Sequence, residues 1–258
     1  MVVREHEQLQ IIRRAIEIIR AAQSGVVFSG AGISTPSGIP DFRSPGSGLW
    51  TRYDPMEVGS LSAFRHNPEK FFEWFQPLAQ TIYEARPNPA HYAVAQLQKA
   101  GFIQEIITQN IDGLHWRSGS TSVLEIHGTL QTMTCTCCYR KYPSEEFIEQ
   151  YINFGQIPYC PICTRILKPD VILFEEQLPQ KVWKSAKEAC LNCEVIIVVG
   201  SSLEVVPAAN LPYLAVENQA QLIIVNEMKT YLDDRAEIII HGDVAKYLPL
   251  IAHEVANG

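Results

Sequence analysis

A short unbroken apolar run, Val26-Val27-Phe28-Ser29, gives way directly to Gly30-Ala31-Gly32-Ile33-Ser34, and most of the expected architecture follows from that break. A β-branched run of this length bounded by glycines reads as a buried parallel strand, ending where the backbone turns sharply and approaches a ligand closely. Backbone N–H groups exposed after such a strand favour anionic oxygens, as in pyrophosphate sites. A tight structural turn accounts for the same residues, and Thr35 stands where the dinucleotide fingerprint carries its third glycine. Nor does an acidic residue close a second strand about twenty residues on, where dehydrogenases read the ribose. Pro36, Gly38 and Pro40 then forbid an ordinary helix, so residues 34–43 are expected to form a loop over the ligand, carrying Asp41, Phe42 and Arg43.

The rest of the chain alternates in a way that suits this strand. Leu9, Ile12, Ile16 and Ile19 recur at helical spacing before a stop at Ser24-Gly25. Further strands are expected at 102–107, 123–126, 195–199, 222–225 and 237–240, with a short extended piece at 171–174. Helices are expected at 88–97, 179–193, 207–219 and 244–255. Six apolar strands separated by helices imply an α/β fold, a doubly wound, Rossmann-like parallel six-stranded sheet covered on both faces. It would be assembled from residues 1–44, 87–130 and 168–258.

Polar or glycine-rich turns repeatedly follow the strand C-termini, where ligands bind in such sheets: Gly30, Gln109-Asn110-Ile111-Asp112, His127-Gly128, Gly200-Ser201-Ser202 and Asn226. A histidine at a strand end is often purely structural. His127, however, would share an edge with Gly30, Asn110 and Asp112, where a neutral imidazole could take a proton from a sugar hydroxyl. Asp41, Asp112 and His115 also have an ordinary reading as turn caps.

Residues 45–86 differ in texture, crowding Trp50, Phe64, Phe71, Phe72, Trp74 and Phe75 with no clear strand. With a helix start at Asn67-Pro68-Glu69, this stretch reads as a small helical insertion whose aromatics pack together. Five of the seven cysteines lie between 135 and 163. Cys135-Thr136-Cys137-Cys138 and Cys160-Pro161-Ile162-Cys163 form two C-x₂-C knuckles about twenty residues apart, the zinc-ribbon spacing. Cys135, Cys138, Cys160 and Cys163 are expected to hold one structural Zn²⁺ within 131–167, with no open position for catalysis and with Cys137 pointing away. The third pair, Cys190 and Cys193, reads as packing.

A net charge of −7 argues against a general nucleic-acid or anionic-membrane binder. The first twenty residues carry Arg4, Glu5, Glu7, Arg13, Arg14 and Glu17, unlike a signal peptide, and no apolar run is long enough to span a bilayer. The odd, clustered cysteine count is unlike an extracellular disulfide framework, so a cytoplasmic location is expected.

Taken together, GAGIS at 30–34, SGIPDFR at 37–43, TQNID at 108–112, HG at 127–128, the four cysteines, KPDV at 168–171, GSSLEV at 200–205 and VN at 225–226 resemble the sirtuins, NAD-dependent protein-lysine deacylases. The resemblance covers nearly the whole chain. It implies an NAD site lined by Gly30, Ala31, Ser34, Gly200, Ser201, Ser202, Asn226 and Val244, with Asp41, Phe42 and Arg43 over its nicotinamide side. It places Gln109 near the ribose, Asn110 and Asp112 at the nicotinamide pocket, and His127 as general base, with Asn110 the second catalytic residue. The implied partners are proteins or peptides bearing acetyl-lysine, added as a strand near Ile172 and Phe174. Mono-ADP-ribosyl transfer and a non-catalytic NAD-sensing or zinc-dependent binding module are the alternatives.

Two departures stand out. Where the family usually reads Phe-Gly-Glu, this chain has Phe174-Glu175-Glu176. Where desuccinylating members carry Tyr and Arg, it has Phe75 and Leu78, so acetyl or longer apolar acyl groups are expected in preference to succinyl.

Overall fold

A computed structural model describes residues 2–41 and 48–257, with side chains from residue 8 onward. Phe42 and Arg43 lie outside the described residues. Nine strands occur among the described residues: β1 (Gly25–Ser29), β2 (Glu105–Thr108), β3 (Val123–Glu125), β4 (Gly128–Cys135), β5 (Lys141–Pro143), β6 (Leu167–Val171), β7 (Val195–Val199), β8 (Gln221–Asn226) and β9 (Ile238–His241).

Six of them form a sheet in the order β3-β2-β1-β7-β8-β9, parallel at every pairing. This is the doubly wound α/β sheet expected from the sequence. Its strands are apolar on both faces because both faces are covered, and alternate residues go to opposite layers. Val27, Ile197 and Ile223 pack against the helices Val2–Ala21, Pro89–Lys99 and Val244–Asn257. Phe28, Ile196 and Ile224 face the helices Gln180–Asn192 and Asn210–Glu217. Burying each such side chain contributes roughly 1.5–3 kcal/mol.

Four details depart from the sequence expectation. Leu9 is 54% exposed, because a helix of 20 residues spans about 30 Å and overshoots strands of about 17 Å. The second strand starts at Glu105, since the N–H groups of Phe102 and Ile103 turn back to the Leu97 carbonyl. The helix expected from 207 starts at Asn210, after a turn in which the Asn210 N–H reaches the Pro207 carbonyl.

The last difference is the largest. An antiparallel three-stranded sheet, β5-β4-β6, surrounds the cysteines. Its long strand β4 is Thr-rich and mostly half-exposed, so it carries little of the apolar signal that marks a strand. The extended piece expected at 171–174 is the end of β6 followed by an isolated bridge between Phe174 and Ser60.

Residues 48–86 contain short helices and the long helix Pro68–Glu84. The helix begins where the Asn67 side chain accepts from the Lys70 N–H at 3.1 Å, with Pro68 in its first turn. Phe64, Phe71, Phe72 and Phe75 interlock at ring separations of 5.2 to 6.0 Å and close over Tyr151 and Ile152. No described helix is long and apolar enough to cross a membrane.

Candidate functional site

All six parallel strands end on one edge of the sheet, and the loops that follow β1 and β7 meet there back to back. The Gly32 N–H donates to the Gly200 carbonyl at 2.8 Å, and a Cβ on Gly200, at φ +56, would lie 2.2 Å from the Ile33 nitrogen. Glycine is therefore required at position 200 for the two loops to abut. Between them lies a polar cleft of ≈ 190 Å³ lined by Gly30, Ala31, Asp41, Gln109, Asn110, His127, Gly200, Ser201, Ser202, Asn226 and Val244. This is the strand-order switch point, the expected location for a dinucleotide in such a sheet.

A second cavity of ≈ 320 Å³ opens from the same place. It shares Ala31, Gln109, Asn110, His127 and Val205 with the cleft, adds Ser34 and Asp112, and then runs as an apolar channel past Trp50, Trp74, Phe75, Leu78, Ile172 and Phe174. Every residue proposed from the sequence for NAD or peptide, Phe42 and Arg43 apart, lines one of these two spaces. In the sequence Trp50 reads as packing and nothing points to Ile82 or Val206, which also line the channel. Nothing in their own spacing distinguishes a channel wall from core.

Hydrogen bonds fix the polar junction. The Asn110 side-chain amide donates to the Gly30 carbonyl and to the Ser34 hydroxyl, both at 3.1 Å, and Ser34 donates to Asp112 Oδ2 at 2.7 Å. Asp112 Oδ1 also accepts from the Leu114 N–H at 2.8 Å, so it is both a turn cap and a cavity residue. Burial raises its pKa, opposed by those two donors and by Arg117. Gln109 donates to Ser201 Oγ at 2.8 Å, tying the β2 loop to the β7 loop.

Behind Ser34 sit His91 and His115, edge to face at 5.1 Å. Burial lowers them to about 4 and about 3 respectively, the second further lowered by its neighbour, so both are neutral. His91 Nδ1 accepts from the Asn88 N–H and completes a capping box. His115 Nε2 lies 2.9 Å from Ser29 Oγ, while its Nδ1 is buried with no hydrogen-bond partner among the described residues.

His127 is half-buried, and its Nδ1 lies 3.1 Å from the Gln109 carbonyl. A donor at Nδ1 leaves the lone pair of the neutral ring on Nε2. Two residues earlier, Glu125 is pushed up to about 7 by burial and by the charge of Asp112, against hydrogen bonds from Trp116 and Thr129.

Away from this junction, the sulfurs of Cys135, Cys138, Cys160 and Cys163 all lie within 4.8 Å of one another. Tetrahedral Zn–S bonds of 2.3 Å require S···S separations of about 3.8 Å, and the Cys135–Cys163 and Cys138–Cys160 pairs stand at 3.4 and 3.7 Å. The four cysteines are positioned to bind a zinc ion, and Cys137 is exposed beside them. Cys190 and Cys193 are buried, and burial raises both thiols, which fits packing.

Comparison with known proteins places the chain among named relatives. A family model described as "Sir2 family" matches residues 30–207. An Archaeoglobus fulgidus protein named "NAD-dependent protein deacylase 2" is 46% identical over 95% of this chain and 96% of its own length. A Caldivirga maquilingensis "NAD-dependent protein deacetylase" is 41% identical over 94% and 93%. Among solved structures, one described as "Structural Basis for the Mechanism and Regulation of Sir2 Enzymes" superposes with a TM-score of 0.88 at 45% identity, covering 95% of this chain and 98% of that one. Another, described as "Sir2-p53 peptide-NAD+", gives 0.85 at 34% identity over 94% and 98%.

Proposed function

The chain belongs to the Sir2 family, and from that premise we propose that it removes acetyl or longer apolar acyl groups from protein lysines, consuming NAD. The observation that carries this reading is the meeting of a polar cleft and an apolar channel at Asn110 and His127. A dinucleotide in the cleft and an acyl-lysine in the channel would bring their reacting ends together at that junction. Relatives named for NAD-dependent deacylation, and a related structure described with a peptide and NAD+, support the assignment.

Bound in the cleft, NAD would supply an anomeric carbon for attack by the acyl oxygen, with nicotinamide as the leaving group. With one water the final products are nicotinamide, free lysine and 2′-O-acyl-ADP-ribose. This chain's residues supply the rest. The glycine loops and Ser201 would hold the phosphates, and Asn226 and Val244 would border the far end. Asn110, Ser34 and Asp112 hold the nicotinamide side. His127 Nε2 takes the proton of the ribose hydroxyl that attacks the acyl carbon. The apolar walls exclude water that would otherwise hydrolyse NAD.

In this reading residues 45–86 and 131–167 make a smaller lobe, one helical and one zinc-bearing, against the NAD-binding lobe of 1–44, 87–130 and 168–258. The peptide adds as a strand beside residues 172–174. The Phe174 edge is closed to it, because both backbone polar groups of Phe174 are taken by Gly59 and Leu61. The channel offers no guanidinium at Phe75 or Leu78, both buried and apolar, so acidic acyl groups are disfavoured.

Labelled NAD incubated with and without an acetyl-lysine peptide tests the proposal. Nicotinamide release that depends on the peptide is expected. Label retained on protein would instead indicate ADP-ribosyl transfer, and binding without release would indicate a sensor.

A further inference from the structure

Glu175 sits at φ +72, in the left-handed region that favours glycine. Its side chain nevertheless has a specific use. Oε2 accepts from the backbone N–H of Ser62 at 2.9 Å, across 113 positions of sequence. Ser62 is the second residue of the helix Leu61–His66, where the N–H has no acceptor within the helix. The Ser60 hydroxyl serves the Ala63 N–H at 3.1 Å, which leaves the Ser62 N–H to Glu175. Hydrogen bonds from Ser62 and the nearby Arg65 charge hold the Glu175 carboxyl below its usual range, so it is ionised at neutral pH.

The same seam carries backbone bonds from the Phe174 N–H to Gly59 at 3.0 Å and from the Leu61 N–H to Phe174 at 2.9 Å. At the other end of this wall, the Ile172 N–H donates to the His127 carbonyl at 2.8 Å. Glu176 accepts from the Leu173 N–H at 2.8 Å and pairs with Lys168 at 2.9 Å. The channel wall is thus strapped to the backbone of His127 at one end and to the helical insertion at the other.

We propose that Glu175 is a positioning residue whose carboxylate latches the channel wall 172–176 to the helix Leu61–His66, holding the channel at one width and presenting one strand edge to the peptide. The inference rests on the deacylase reading, and it assigns Glu175 to peptide binding and not to NAD binding.

The full chain carrying Glu175→Gly tests it. Glycine adopts φ +72 freely, so this variant keeps its fold while losing the carboxylate. Amide exchange at Ser62 should quicken about tenfold, as expected when one hydrogen bond is lost. The KM for an acyl-peptide should rise by about fivefold, with NAD affinity unchanged, if the latch preorganises the wall. Glu175→Gln keeps an acceptor oxygen and should recover most of both effects. Ser62 exchange within about twofold of wild type in the glycine variant would overturn the latch, as would an unchanged peptide KM. An inactive wild-type chain would instead overturn the deacylase reading, and Ser62 exchange would still decide the latch.

Discussion

At position 127 a backbone carbonyl sets the chemistry available to the side chain. The Gln109 oxygen, 3.1 Å from Nδ1, selects the tautomer in which Nε2 is basic, and that is the form a general base requires. His127→Ala should retain NAD binding by calorimetry while losing turnover by roughly 10²–10⁴-fold, the usual contribution of a positioned base. Glu125 gives a second residue-scale test. Its folded pKa of about 7 lies above the ordinary 4.5, so the native state holds a proton that the unfolded chain releases between those values. Stability should therefore fall as pH rises from about 4.5 through about 7. Glu125→Gln should flatten that slope and be more stable than wild type at pH 8 by on the order of 2 kcal/mol, read from urea unfolding. His127 could be picked out in the sequence because it directly follows an apolar strand. The His91–His115 pair behind Ser34 could not, since residues 91 and 115 belong to different helices and only their packing brings them together.

The element least visible in the sequence is the antiparallel sheet β5-β4-β6, although its cysteines were the plainest motif. Its small core of Met133, Cys135, Cys160 and Leu167 buries too little to stand alone. The four sulfurs converge where a metal would replace missing apolar contacts. Chelation at neutral pH should release about one zinc per chain by mass spectrometry. It should also unfold this sheet, read as lost amide protection across 128–143, while the parallel sheet stays protected. Helix boundaries show the opposite balance. The Asn88-Pro89 start was legible because capping is local. The overshoot of Leu9 into solvent was not, because it depends on how long the sheet beneath the helix is.

Across the whole molecule, the apolar channel lies between the end of the parallel sheet and the aromatic insertion, drawing its walls from residues 31 to 207. If that channel receives the acyl chain, each methylene it covers should contribute about 0.8 kcal/mol, close to a fourfold gain in kcat/KM per carbon until the channel is full. A series from acetyl to octanoyl peptides would measure this, and succinyl-lysine should turn over more slowly than acetyl-lysine. Periodicity, glycine placement and cysteine spacing are local properties, and by themselves they determined the sheet, the metal ligands and the loops that carry the polar site. Tertiary structure alone decided the channel, its apolar length and the Glu175–Ser62 contact. These depend on which distant surfaces meet, and no local pattern of residues encodes the distance between two elements 113 positions apart.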